Sequence, residues 1–190
     1  MGNSAGGIHC LTWLFHEDFS QQRRQLVAEP STLRLVGVIN QSGPLTFASP
    51  VPAHRSQMLR AYYGGIVEDE APTFVGRAPL GLFKALVAAN PNAKTPRELY
   101  VPPIVNLAAE WETDDEVLDL FPLFQIEWEK YFGDNAPNDM ATKDFNHYSS
   151  NGLETLWMEG HNHISPPLAL MAGEGEEWTG KLLDWMDRVL

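Results

Sequence analysis

A serine among glycines, an acid closing an apolar run and a histidine pair near the C-terminus are the residues of this chain suited to nucleophilic chemistry. Ser4 stands in Gly2-Asn3-Ser4-Ala5-Gly6-Gly7, which fits the pattern G-x-S-x-G. A serine at the tip of a sharp strand-to-helix turn is lifted clear of the fold, and small neighbours let backbone approach backbone without a Cβ clash. Glu112 ends the run that starts at Ile104, and His161 and His163 lie in Gly160-His161-Asn162-His163-Ile164-Ser165. A hydroxyl, an imidazole and a carboxylate in series make a nucleophile, its general base and the group that orients the base. Taken alone, the N-terminal pattern also reads as a glycine-rich tail; the other two residue types give it meaning.

The elements that would position these residues follow from periodicity. Behind Ser4 the run Ile8, Leu11, Thr12, Leu14 and Phe15 suits a buried helix. Cys10 falls on it, where a packed thiol is the expected role. His16 to Ala28 reads as a polar helix or loop, closed by Pro30. Leu33 to Asn40 is β-branched and nearly all apolar, as a strand covered on both faces should be, and it ends in the turn cluster Gln41-Ser42-Gly43-Pro44. Tyr100 to Ala109 reads as the next buried strand, with its prolines confined to the entry. An amphipathic helix is expected over Leu118 to Phe132, with Pro122 in its first turn. Gly133 to Asn151 reads as a polar loop, and Leu153 to Met158 as a last short strand. A closing helix over Glu176 to Leu190 turns Trp178, Leu182, Trp185, Met186 and Val189 inward.

Residues 44–96 have a different texture, with seven prolines and two helical stretches, Arg55 to Tyr63 and Leu80 to Ala89. They read as a lid-like insertion within one domain spanning 1–190. Met58, Tyr62, Tyr63, Phe74, Leu82 and Phe83 would either line an acyl pocket or fasten the insertion to the core, since periodicity does not separate a pocket wall from a packing face.

Three segments carry a resemblance: Gly-Asn-Ser-Ala-Gly-Gly at 2–7, Pro-Pro-Ile-Val-Asn-Leu-Ala-Ala-Glu-Trp-Glu at 102–112 and Gly-His-Asn-His-Ile-Ser-Pro-Pro-Leu-Ala-Leu at 160–170. Together they resemble the α/β-hydrolase superfamily, and within it the carboxylesterase group with its hormone-sensitive-lipase-like and kynurenine-formamidase-like enzymes. Serine, acid, histidine is the chain order of that triad. The resemblance implies an α/β fold, a three-layer α/β/α sandwich with a mostly parallel sheet and a helical lid, hydrolysing a small-molecule carboxylic ester without cofactor or metal. It gives Ser4 the role of nucleophile, His163 that of general base, with His161 as rival, and Glu112 that of the orienting acid, with Asp114 and Asp115 as rivals. Ala5 would supply one backbone donor to the oxyanion.

The same resemblance implies strands and helices before the elbow. It follows that the chain is expected to be the C-terminal part of such an enzyme, lacking the upstream oxyanion donor and the strand that feeds Ser4. The strand at Leu33 to Asn40 would then present an open edge, so self-association through that edge is expected. A catalytically silent remnant acting as a binding or dimerisation module is the reading from a different class. A third reading takes His161 and His163 with His147 as a metal site, with no further ligand at a defined spacing.

Composition narrows the rest. Thirteen basic against 25 acidic residues give a net charge of −12, which argues against nucleic acid and anionic membrane as partners. Nine acids and one lysine between Glu110 and Asp134 read as a solvated face. One cysteine allows no intrachain disulfide, and no stretch reaches 18 uninterrupted apolar residues, so a cytoplasmic protein without a membrane span is expected.

Overall fold

The computed structural model describes residues 1–28, 33–46, 61, 75–112, 121–133, 147–173 and 177–190. Five strands form one sheet: β1 (Gly2–Asn3), β2 (Val38–Gln41), β3 (Ile104–Ala109), β4 (His147–Ser150) and β5 (Leu153–Met158), in the order β1-β2-β3-β5-β4. The pairs β1–β2, β2–β3 and β3–β5 are parallel and β4–β5 is antiparallel. Six helices accompany them among the described residues: α1 (Ala5–Phe15), α2 (Ser20–Ala28), α3 (Pro79–Ala89), α4 (Phe121–Phe132), α5 (Ser165–Ala172) and α6 (Trp178–Val189). The expected α/β fold with a mostly parallel sheet is therefore present.

The all-buried β3 shows why its sequence is apolar without alternation. Ile104 and Ala108 join a cluster with Leu11, Leu14 and Phe15 of α1, Phe83 and Leu86 of α3, and Phe124 and Trp128 of α4. Val105, Leu107 and Ala109 join a second cluster with Leu156 and Met158 of β5 and Trp178, Leu182 and Trp185 of α6. Successive side chains of a strand point to opposite faces, so a strand with a core on each face must be apolar throughout. Between the apolar residues sit paired polar groups: Asn40 Nδ2 donates to Asn106 Oδ1 at 3.0 Å, and Gln125 Nε2 of α4 donates to Thr155 Oγ1 of β5 at 2.7 Å. The Arg23 guanidinium, 2 % exposed, donates to Leu14 O at 2.6 Å and Leu99 O at 3.2 Å, tying α1 to the turn before β3. Its burial lowers its pKa, against which Glu17 acts.

Four boundaries differ from expectation. The strand expected over Leu33 to Asn40 is β2, from Val38 to Gln41. Its partner β3 starts only at Ile104 because Pro102 and Pro103 have no N–H to give a ladder, and Leu35 N instead donates to Leu26 O of α2. The strand expected from Tyr100 likewise begins at Ile104, since Tyr100 is left-handed at φ 57°. Within the expected loop 133–151, residues 147–150 form β4, joined to β5 by Asn151 and Gly152 at φ 41° and 86°, a two-residue hairpin turn. The fourth difference is β1: a strand feeding Ser4 was expected to be lacking, yet Gly2 and Asn3 pair in parallel with Asn40 and Gln41, so part of the β2 edge expected to lie open is covered. The helices over 80–89, 118–132 and 176–190 appear as α3, α4 and α6, with Pro122 in the first turn of α4. The helix expected at Arg55 to Tyr63 lies outside the described residues except for Ala61, as do Met58, Tyr62, Tyr63 and Phe74. No described helix is long and apolar enough to cross a membrane.

Candidate active site

Because four strands run parallel, the residues that follow them emerge at one edge of the sheet. Ser4 follows β1, Ser42 follows β2, Glu112 follows β3 by three residues and His163 follows β5 by five. The crevice outside the carboxyl ends of such strands is where open α/β sheets bind ligands.

Ser4 sits between β1 and α1 with φ 52° and ψ −121°, a backbone conformation that side chains rarely adopt. Three hydrogen bonds hold it there: its N–H donates to Gln41 O at 2.8 Å, and its carbonyl accepts from Gly7 N at 2.9 Å and Ile8 N at 3.3 Å. The turn closes on itself through Gly7 and Gly43, where an added Cβ on either would overlap the Asn40 amide; Asn40 Nδ2 in turn donates to Gly43 O at 3.2 Å. At a helix N-cap a serine hydroxyl ordinarily accepts from the first-turn N–H groups, and Ser4 makes no such bond. Its Oγ is thus not spent on the helix. Ala5, the first residue of α1, is exposed, and its N–H meets no backbone acceptor among the described residues.

His163 Nδ1 lies 2.8 Å from Glu112 Oε2, with the imidazole 29 % and the carboxylate 1 % exposed. The loop that carries the histidine is tied down on both sides. Asn162 Oδ1 accepts from Ile164 N and Ser165 N at 3.0 Å each, Asn162 N donates to Ser165 Oγ at 2.9 Å, and Gly160 N donates to Glu110 Oε2 at 2.7 Å. His161 is placed differently: 5 % exposed, its Nδ1 lies 3.0 Å from Ser165 Oγ, its ring meets Trp178 edge-on at 6.3 Å, and its carbonyl accepts from Trp111 N. Of the two histidines, His163 is the one on the carboxylate. Asp114 and Asp115 lie outside the described residues. Among the described residues no three His, Cys, Asp or Glu side chains gather as a metal site, and no hydrogen bond of 3.5 Å or less joins Ser4 to His163.

Sequence reasoning overlooked two features of this edge. Gln41 and Ser42, read only as a turn cluster, are fully buried, and Ser42 is left-handed at φ 48° beside the elbow. The Asn40–Asn106 pair that packs behind α1 was hidden inside two apolar runs; an asparagine at the same place in each of two adjacent buried strands was the available signal. Leu82 and Phe83 divide as packing residues: Phe83 is fully buried against Trp128 at 5.2 Å, and Leu82 packs partly buried on the same core.

Comparison with known proteins finds no match to any family model, to any curated protein or to any solved structure.

Proposed function

We propose that this chain belongs to the α/β-hydrolases and is a serine hydrolase of carboxylic esters, with Ser4, His163 and Glu112 as its triad. The observation that carries the reading is the pairing of a strained, uncapped serine between a parallel strand and a helix with a His–Glu hydrogen bond at the same edge of the sheet. In this reading His163 Nε2 takes the Ser4 proton as Oγ attacks the ester carbonyl, and returns it to the departing alcohol. Water then cleaves the acyl-enzyme by the same route. Glu112 fixes the imidazole through Nδ1, and Ala5 N–H faces the developing oxyanion. A single such donor leaves a deficit, since loss of one typically costs about 10² to 10³ in rate. The cores on the two faces of the sheet support a three-layer sandwich.

The missing Ser4–His163 bond favours a second reading, a catalytically silent member of the same fold that pairs with another copy through the β1 edge. Hydrolysis of p-nitrophenyl acetate and butyrate by the chain and by its Ser4→Ala variant separates the two. Activity that falls to background in the variant, with fluorophosphonate labelling lost alongside, supports the esterase. Equal rates and no labelling support the silent module.

A further inference from the structure

At the opposite edge of the sheet, under the amino ends of β2, β3 and β5, lies a half-open cleft of about 890 Å³, within the range of small-molecule sites. Its apolar floor includes Leu35, Val101 and Phe132, the last two buried. Among the described residues four cations and no acid line it: Arg34, Lys94, Arg97 and Arg188. In a chain of net charge −12 that is a local reversal of sign.

Three of the four cations are not spent on structure. Arg188 is held by Glu154, its Nη2 lying 2.7 and 2.9 Å from the two carboxylate oxygens. Arg34, Lys94 and Arg97 are exposed, and among the described residues their side chains make no hydrogen bond or ion pair. Helices α2, α4 and α6 end at this rim, and helix C-termini favour nearby cations. That attraction acts through space and is weak at an exposed site, so it leaves the N–H donors of these three open to a ligand. Tyr100, also on the lining, is left-handed at φ 57° because it caps the turn Pro96–Leu99.

We propose that this cleft binds an amphiphilic anion, with a carboxylate or phosphate head among Arg34, Lys94 and Arg97 and an apolar tail along the floor. Charged heads meet guanidinium and ammonium donors, for which Arg offers a bidentate fork. The tail is what the apolar lining requires, since a small hydrophilic anion would leave it uncovered. This site is independent of the triad and stands whether or not the chain hydrolyses esters.

The test is calorimetric titration of the full chain with dodecanoate and with dodecyl phosphate below their micelle concentrations, beside dodecanol. The variants are Arg34→Ala/Arg97→Ala and, as a control for net charge, Lys181→Ala on α6. One-to-one binding of either anion, weakened at least tenfold in the double variant, unchanged in Lys181→Ala and tenfold or more tighter than dodecanol, is the expected result; the tighter of the two anions identifies the head. Binding equal in wild type and double variant, binding of dodecanol as tight as of the anions, or no binding at all overturns it. So does association with phosphatidylglycerol vesicles in the absence of any binding to the monomeric anions, since that would make the cations a membrane-facing patch.

Discussion

His163 Nδ1 meets Glu112 Oε2 at 2.8 Å over a separation of 51 residues, and the carboxylate is 1 % exposed while the imidazole still reaches solvent. An acid so enclosed serves the histidine and little else. If the pair works as base and orienting acid, Glu112→Gln keeps the shape and loses the charge that holds the imidazole in the right tautomer. The expected fall in kcat for p-nitrophenyl butyrate is on the order of 10³ to 10⁴. Asp114→Asn and Asp115→Asn should leave kcat unchanged. A large loss in either of those, with Glu112→Gln nearly active, would move the acid off Glu112.

The strain at Ser4 has a thermodynamic signature separate from catalysis. Holding a non-glycine residue at φ 52° and ψ −121° costs of order 1–3 kcal/mol. Ser4→Ala keeps that cost and Ser4→Gly removes it, less the roughly 0.5–1 kcal/mol that glycine loses in conformational freedom. Ser4→Gly should therefore be the more stable of the two by about 1 kcal/mol in urea denaturation. Both should fail to react with a fluorophosphonate. A Ser4→Ala protein as stable as Ser4→Gly would mean that the elbow relaxes in solution.

Adjacent glycines in α1 should respond with opposite signs. Around Gly6 nothing lies within 4 Å of where a Cβ would stand, so Gly6→Ala gains helix propensity of about 0.5–1 kcal/mol. At Gly7 the methyl would collide with the Asn40 amide and come within 3.0 Å of Gly43 Cα, inside a turn pinned by hydrogen bonds. Gly7→Ala should cost about 1–3 kcal/mol. Thermal midpoints of the two variants check this directly, and destabilisation in both would show that α1 packs more closely on its outer face than the structure places it.

What the sequence made legible was periodicity and motif. The helices behind the serine, at 80–89 and at the C-terminus could be read because each buries a continuous face against one core, and the strand Leu153 to Met158 because its apolar residues face a core on each side. Misreadings had physical causes in neighbours. Leu33 to Gly37 look like strand, but the prolines at 102 and 103 deny them a ladder, a fact carried by residues some seventy positions away. Strand β4 escaped because its polar sequence hides the Asn151-Gly152 signal that turns it onto β5. Ser4 could be named from the G-x-S-x-G pattern and Glu112 from the apolar run that it ends, which becomes the parallel strand β3. Which histidine takes the carboxylate depends on the loop hydrogen bonds of Asn162, which no spacing rule encodes.

Phe83 offers the sharpest separation of packing from substrate binding. Its ring is fully buried and lies 5.2 to 6.0 Å from the rings of Phe15, Phe124, Trp128, Tyr131 and Phe132, so it knits α3 to α1 and α4. Truncating such a residue removes buried area and leaves a cavity that its aromatic neighbours cannot close. Phe83→Ala should cost about 3–5 kcal/mol. A smaller change to Phe83→Leu should cost about 1–2 kcal/mol and keep the fold. Because the ring touches core aromatics and not the sheet edge that carries Ser4 and His163, Phe83→Leu should leave KM for p-nitrophenyl butyrate at the wild-type value. A stable Phe83→Leu protein with a shifted KM would instead make this residue a wall of the acyl pocket, and would place the substrate channel through α3.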